Sequence, residues 1–365
     1  MILLLQYTLL FASVLLLVAL GGCFSERSGV INIGLEGIMV IGALGGALVM
    51  KYLPVEFGGA PVMILATLIA SAAAGMLFSL LLAVAAIHFK ADQTITGTAM
   101  NMLATAAATV AVKAMNTAAS GGHDVSSDIV YTRARDTFIV RFGNFEFNWF
   151  MLVALIALIV SYVVLYKMRF GLRLRACGEH PQAADSVGIN VYKMRYAGVL
   201  ASGLLGGIGG IVYITAGVSS WKFENGVAGF GFLALAVMIF GQWKPIKIAL
   251  AALLFGFFRA LGNVYTGFDL LKNLNLPSQI YNMLPYIISL LVLALTSKNS
   301  LAPKAEGIPT TREQDKRIPK RQLLIEGAAV FYCGLKKEKG TGKIRRRDIR
   351  DQAFSKPSSR PPISA

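Results

Sequence analysis

The sequence predicts an all-α polytopic membrane protein, and three observations carry that prediction. Of its 365 residues 55% are hydrophobic, with a mean hydropathy of +0.62. Several apolar runs reach about 18 residues or more, the length a helix needs to cross a hydrocarbon core. The charged residues collect between those runs rather than within them. Runs of spanning length lie near 3–22, 30–50, 62–87, 94–112, 149–166, 196–217, 228–241, 247–265 and 280–296, which gives about nine transmembrane helices. Residues 1–297 are therefore expected to form one transmembrane domain.

The first run ends in LGGC, Leu20 to Cys23, as a lipoprotein signal peptide does. It lacks the positive start of such a peptide, and a second span follows within a few residues, so it reads as a retained first helix. Next, a short charged turn, Ser25 to Ser28, leads into a helix carrying Asn32 and Glu36. Four residues apart, these two would share one helical face. An ionisable group in hydrocarbon costs at least about 2.5 kcal/mol, so a carboxylate here is expected to serve a function. Gly29, Gly34, Gly37, Gly42, Gly45 and Gly46 surround it, and small residues let membrane helices pack closely.

The fourth run opens with Gln93, Thr94, Thr96, Thr98 and Asn101, of which Thr94, Thr98 and Asn101 fall on one face. Polar faces at membrane depth meet one another or a water-filled path. Asn32, Glu36, Thr94, Thr98 and Asn101 are accordingly candidate pathway residues, the competing role being interhelical hydrogen bonds worth about 1 kcal/mol each. Arg259 and Asn263 add polar groups to the eighth run, where Arg259 either lines the path or snorkels outward. The 228–241 run is short for a bilayer of about 30 Å and is expected to be tilted or re-entrant.

Sidedness follows from Lys and Arg in the short loops. The richest loop, 168–194 with its flanks, carries Lys167, Arg169, Arg173, Arg175, Lys193 and Arg195 and should be cytoplasmic. Alternation then places the N-terminus and the Lys113–Asn148 loop outside and the C-terminus inside. Within the basic loop, Pro181 suits a first helical position and Gly188 a left-handed stop, so a two-turn helix from Pro181 to Val187 is expected. Pattern alone leaves it either a connector or a rigid knob for a soluble partner.

From 298 to 365 the composition changes to a basic tail that holds most of the chain's net charge of +16. Such a tail is expected to be disordered and solvated, although its IRRR stretch, Ile344 to Arg347, could also attract anionic lipid. No nucleic-acid partner is expected. No catalytic constellation is legible: there is no HExxH, no GxSxG, and GKI at Gly342 to Ile344 lacks the rest of a P-loop. Cys23, Cys177 and Cys333 form no CxxC pair, so neither a disulfide framework nor a metal site is expected.

SERSGVINIGLEGIM, DQTITGTAMNMLA, GEHPQAADSVGINV, GFGFLALAVMIFGQWKP, LFGFFRALG and MLPYIISLLVLA, in that order over about residues 1–308, resemble the permease subunit of bacterial ABC importers for nucleosides or simple sugars, within the ribose and branched-chain amino acid permease group. The resemblance implies transport by alternating access in the bacterial plasma membrane, without an ATPase site or cofactor on this chain, the ATP being used by a partner. It implies four kinds of neighbour: a related second permease subunit, a cytoplasmic ABC ATPase, an extracytoplasmic solute-binding lipoprotein, and membrane lipid. It also implies that the helix in the basic loop is a coupling helix docking on the ATPase, with Gly178, Glu179, Pro181, Ala183, Ala184, Gly188 and Ile189 matching that segment. His180, Phe230 and Arg259 depart from the pattern. Nucleosides are the expected solutes, ribose or other sugars and branched-chain amino acids the alternatives. An ion-coupled secondary transporter with Glu36 carrying the proton is the reading from a different class, and a membrane scaffold without transport is a third.

Overall fold

The computed structural model describes residues 2–54, 56, 59–131, 138–142, 145–216, 220–265, 280–281, 283–288, 290 and 302–308. The order is α1 (Ile2–Arg27), α2 (Leu35–Tyr52), α3 (Gly59–Ala83, closed by a π turn at Val84–His88), α4 (Gln93–Ala119), β1 (Asp128–Val130), β2 (Ile139–Phe142), β3 (Phe145–Asn148), α5 (Trp149–Tyr166), α6 (Arg169–Glu179), α7 (Pro181–Ser186), α8 (Val191–Thr215), β4 (Ser220–Lys222), α9 (Phe230–Phe240) and α10 (Pro245–Val264). Seven of these, α1 to α5, α8 and α10, are long and apolar enough to cross a membrane. At 11 residues α9 reaches only about 16 Å, so the run expected near 228–241 is a half-length helix. Most of the run expected at 280–296, and the chain from 309 onward, lie outside the described residues.

The mostly helical fold agrees with the sequence, and four local features do not follow it. The last turn of α1 continues through Ser25, Glu26 and Arg27, where a turn was expected. Residues 28–34 then run without helix, so α2 begins five residues later than its apolar run and Asn32 precedes it. The basic loop contains an additional amphipathic helix, α6, before the expected short one. On the opposite side of the molecule, two small antiparallel pairs form, β1 with β4 and β2 with β3.

Three helices make the centre. α8 packs against α1, α2 and α3, while α1 also packs on α10 and α2 on α3. Apolar surface cannot drive this association in lipid, so backbone proximity and dispersion must. Glycine provides the proximity: Gly42 of α2 meets Gly207 of α8 so closely that a Cβ on Gly42 would overlap the Gly207 backbone, and Gly75 of α3 meets Gly203 and Gly207 in the same way. Ser71 Oγ then donates to the Gly207 carbonyl at 2.6 Å. By contrast, α3, α4 and α5 bury only a narrow stripe each.

Candidate functional site

The irregular stretch before α2 is buried, with Ser28, Val30 and Asn32 fully enclosed. Backbone polar groups at membrane depth need partners from the protein itself. Polar side chains of α4 supply them. Gln93 Oε1 accepts from the Ile31 N–H at 2.7 Å, Asn101 Nδ2 donates to the Ile33 carbonyl at 3.0 Å, and Asn101 Oδ1 accepts from the Gly37 N–H at 2.8 Å. Asn32 Nδ2 donates to Ser202 Oγ at 2.8 Å. Gly97 sits where the two segments touch, since a Cβ there would come within 2.9 Å of the Gly34 nitrogen.

Glu36 lies in the first turn of α2 and reaches α9. Its Oε1 accepts from the Gly229 N–H at 2.8 Å and its Oε2 from the Gly231 N–H at 2.7 Å. The first N–H groups of a helix lack intrahelical partners and carry partial positive charge, so a carboxylate is the complementary group. The short helix α9 is thus capped by a side chain from another element. Gly231 is required for this approach: a Cβ there would lie 2.5 Å from the Glu36 nitrogen. Gly229, at φ +79°, turns the chain into the helix.

Arg259 of α10 points inward to the same region. Its guanidinium lies 5.3 Å from the Phe230 ring centroid and 6.0 Å from that of Phe11, and the Tyr213 and Phe230 rings are 4.4 Å apart. It does not snorkel outward. The departures Phe230 and Arg259 from the expected motif are therefore in contact with each other.

The five candidate pathway residues divide. Asn32, Glu36 and Asn101 gather at the start of α2, where all three make interhelical hydrogen bonds, though Asn32 and Glu36 share no helical face. Thr94 and Thr98 stand on the exposed side of α4, beside Ile95 and Met102. Thr98 Oγ1 donates back to the carbonyls of Thr94 and Ile95, and Asp92 caps the helix through the Thr94 and Ile95 N–H groups.

In the basic loop, α7 spans Pro181–Ser186 against the expected Pro181–Val187, with Pro181 at its first turn, no side-chain cap from His180, and Gly188 at φ +82°. Ala184 is buried against Cys177 and Val191, a small core separate from the main one. Burial pushes the Cys177 thiol above its ordinary range. Ala183, Val187 and Gly188 face outward. Glu179 pairs with Arg27 at 3.8 Å. Gly178 packs on the Arg27 carbonyl so closely that a side chain would overlap it.

Sequence reasoning missed Ser202, Trp243 and Glu306. Ser202 had a signal in principle, being a polar residue in the apolar and glycine-rich middle of α8; the other two are recognisable only through the contacts described below.

The profile of the family described as branched-chain amino acid transport system, permease component, matches residues 4–294. The guanosine ABC transporter permease protein NupQ of Bacillus subtilis (strain 168) is 43% identical over 311 residues, 83% of this chain and 94% of the relative. The nucleoside ABC transporter permease protein NupC of Lactococcus lactis subsp. cremoris (strain MG1363) is 39% identical over 304 residues, 82% and 94% of the two chains. A more distant similarity, 25% over 248 residues (66% of this chain, 68% of the relative), joins the chain to the guanosine ABC transporter permease protein NupP of B. subtilis. No solved structure matches.

Proposed function

The chain belongs to the permease-component family of branched-chain amino acid transport systems, and from that membership we propose that it is the membrane subunit through which an ABC importer brings nucleosides into the cell. The similarity to a guanosine permease over 94% of that protein's length carries the choice of solute. The existence of NupQ and NupP, two permeases of one organism that both resemble this chain, supports a related second permease as partner. A cytoplasmic ATPase and an extracytoplasmic solute-binding lipoprotein complete the assembly.

The mechanism is alternating access about nine spans in the plasma membrane, with the N-terminus outside and α6–α7 in the cytoplasm. The exposed turn of α7, held on its own small core, is shaped as a rigid projection rather than a slack connector. ATP binding that favours the closed ATPase pair would displace this projection and bias the spans toward one side. Thr94 and Thr98, on the uncovered side of α4, would face the second permease and the passing solute, because polar groups at membrane depth require protein or water beside them. Glu36, with both oxygens engaged by α9, would hold the wall of that path rather than carry a proton.

Uptake of labelled guanosine, ribose and branched-chain amino acids by cells expressing the complex, with and without its ATPase, tests the reading. ATP-dependent guanosine uptake is the expected result. Uptake that survives loss of the ATPase and collapses with a protonophore would replace this reading with ion-coupled transport.

A further inference from the structure

The segment 302–308, APKAEGI, follows the last apolar run and lies against the body of the protein without helix or strand. Its backbone touches three separate elements. The Ala305 N–H donates to the Gly178 carbonyl at 2.9 Å, the Gly307 N–H to the Gly29 carbonyl at 3.3 Å, and Arg195 Nη1 of α8 donates to the Ile308 carbonyl at 2.9 Å. Pro303 and Ala305 are buried. A strap of consecutive turns with such anchors is not a random tail.

Its one acidic side chain, half-buried, lies beside the buried Glu26. The Glu306 carboxyl lies beside the Glu26 carboxyl and Arg27. Glu26 Oε2 accepts from Trp243 Nε1 at 2.5 Å. The Trp243 carbonyl in turn accepts from Arg27 Nε at 3.3 Å and Nη2 at 3.2 Å, and Arg27 pairs with Glu179. Trp243 closes the α9–α10 turn, and both it and Gln242 sit at φ +52°. Non-glycine residues keep left-handed backbone only where their surroundings hold them there. What holds this turn is Trp243 in the grip of Glu26 and Arg27.

Two distant places are thereby joined. One is the end of α6 at Gly178 and Glu179, directly before α7; the other is the C-terminal end of α9, whose N-terminal end is capped by Glu36. We propose that Glu306 is a positioning residue, and that the strap 303–308 clasps the α7 segment to the α9–α10 turn so that displacement of α7 is passed through Trp243 to α9 and the start of α2. This rests on the transport reading above, in which α7 meets an ATPase. Glu306 adds to the backbone anchors of the strap a side-chain neighbour of Glu26 that a displaced strap would lose.

The test uses the intact complex recovered with the tagged chain and reconstituted in vesicles, with guanosine uptake and ATP hydrolysis read together. Glu306→Ala should lower guanosine moved per ATP by about tenfold while basal hydrolysis persists, an effect within the usual range of coupling between linked sites. Glu306→Gln, which can donate an N–H to Glu26, should stay within about twofold of the parent ratio. Trp243→Phe keeps the ring and removes the Nε1 donor, and should uncouple as Glu306→Ala does; it decides the matter if Glu306→Ala fails to assemble. An unchanged ratio in Glu306→Ala, or in Trp243→Phe where that variant decides, overturns the clasp and leaves the transport reading intact. Absence of ATP-dependent uptake in the parent complex overturns both.

Discussion

Glu36 is an acidic residue at membrane depth whose two oxygens each accept a backbone N–H from the start of α9. Charge-assisted bonds to backbone N–H groups are stronger than neutral ones, and capping groups are typically worth about 1–2 kcal/mol. Glu36→Ala should therefore reduce thermal stability in detergent by about that amount and depress uptake, while Glu36→Gln, which retains one acceptor oxygen, should keep most of the uptake. Abolished uptake in Glu36→Gln with unchanged stability would return the proton-carrier role to this residue. Glu306 permits a prediction of a different kind. Burial holds its carboxyl above the ordinary glutamate value of 4.5, against the opposing effects of Glu26 and Arg27. The docked strap thus binds a proton more tightly than the free one, so this contribution to docking is complete below the ordinary value and is lost as pH rises through the raised one. The groups facing Glu306 are Glu26 and Arg27 of α1, with Trp243 of the α9–α10 turn behind Glu26. Amide exchange at Ala305 and Gly307, corrected for intrinsic rate, should quicken with rising pH, and Glu306→Gln should flatten that trend.

At the scale of elements, α2 depends on α4 for its first turn. Asn101 serves both the Ile33 carbonyl and the Gly37 N–H, so Asn101→Leu strands two buried backbone groups, each costing about 1–3 kcal/mol. Lower thermal stability with protein that still inserts is the expected outcome; a variant as stable as the parent would show that water takes over both bonds. The crossing of α2, α3 and α8 is equally exacting. Gly207→Leu would push a branched side chain into the Ser71 carbonyl and the Gly75 backbone. Overpacking costs about 1–3 kcal/mol where neighbours can give way, and backbone cannot, so loss of folded protein in a fluorescence-monitored size-exclusion assay is expected.

For the whole molecule, the arrangement is a packed trio of α1, α2 and α8, with a half-helix capped from within on one side and a short projecting helix below. Ala184 occupies the small core that carries α7, and a proline there would remove the N–H that bonds the His180 carbonyl at 3.0 Å. Ala184→Pro should leave insertion intact and separate ATP hydrolysis from uptake. The compact unit ends at Thr310, so truncation there should leave uptake unchanged; loss of uptake would give the basic extension a part in transport.

The sequence alone determined the class of molecule, the position of most spans to within a few residues, the helix at Pro181, the turn at Gly188 and the family, because spanning length, helix punctuation and contiguous motifs are local properties of the chain. Glu36 and Asn101 were legible as polar groups out of place in an apolar run. What they do there was not legible, since the Gly229 and Gly231 N–H groups that meet Glu36 lie almost two hundred residues away in the chain. The same holds for the unwound start of α2: its residues are apolar enough to continue a helix, and the side chains of Gln93 and Asn101, brought alongside by packing, make an open backbone affordable at that depth. Tertiary structure alone decided that Glu306, in a short segment after the last span, belongs with Glu26 and Trp243, because only the backbone anchors of that segment on Gly178 and Gly29 bring opposite ends of the domain together.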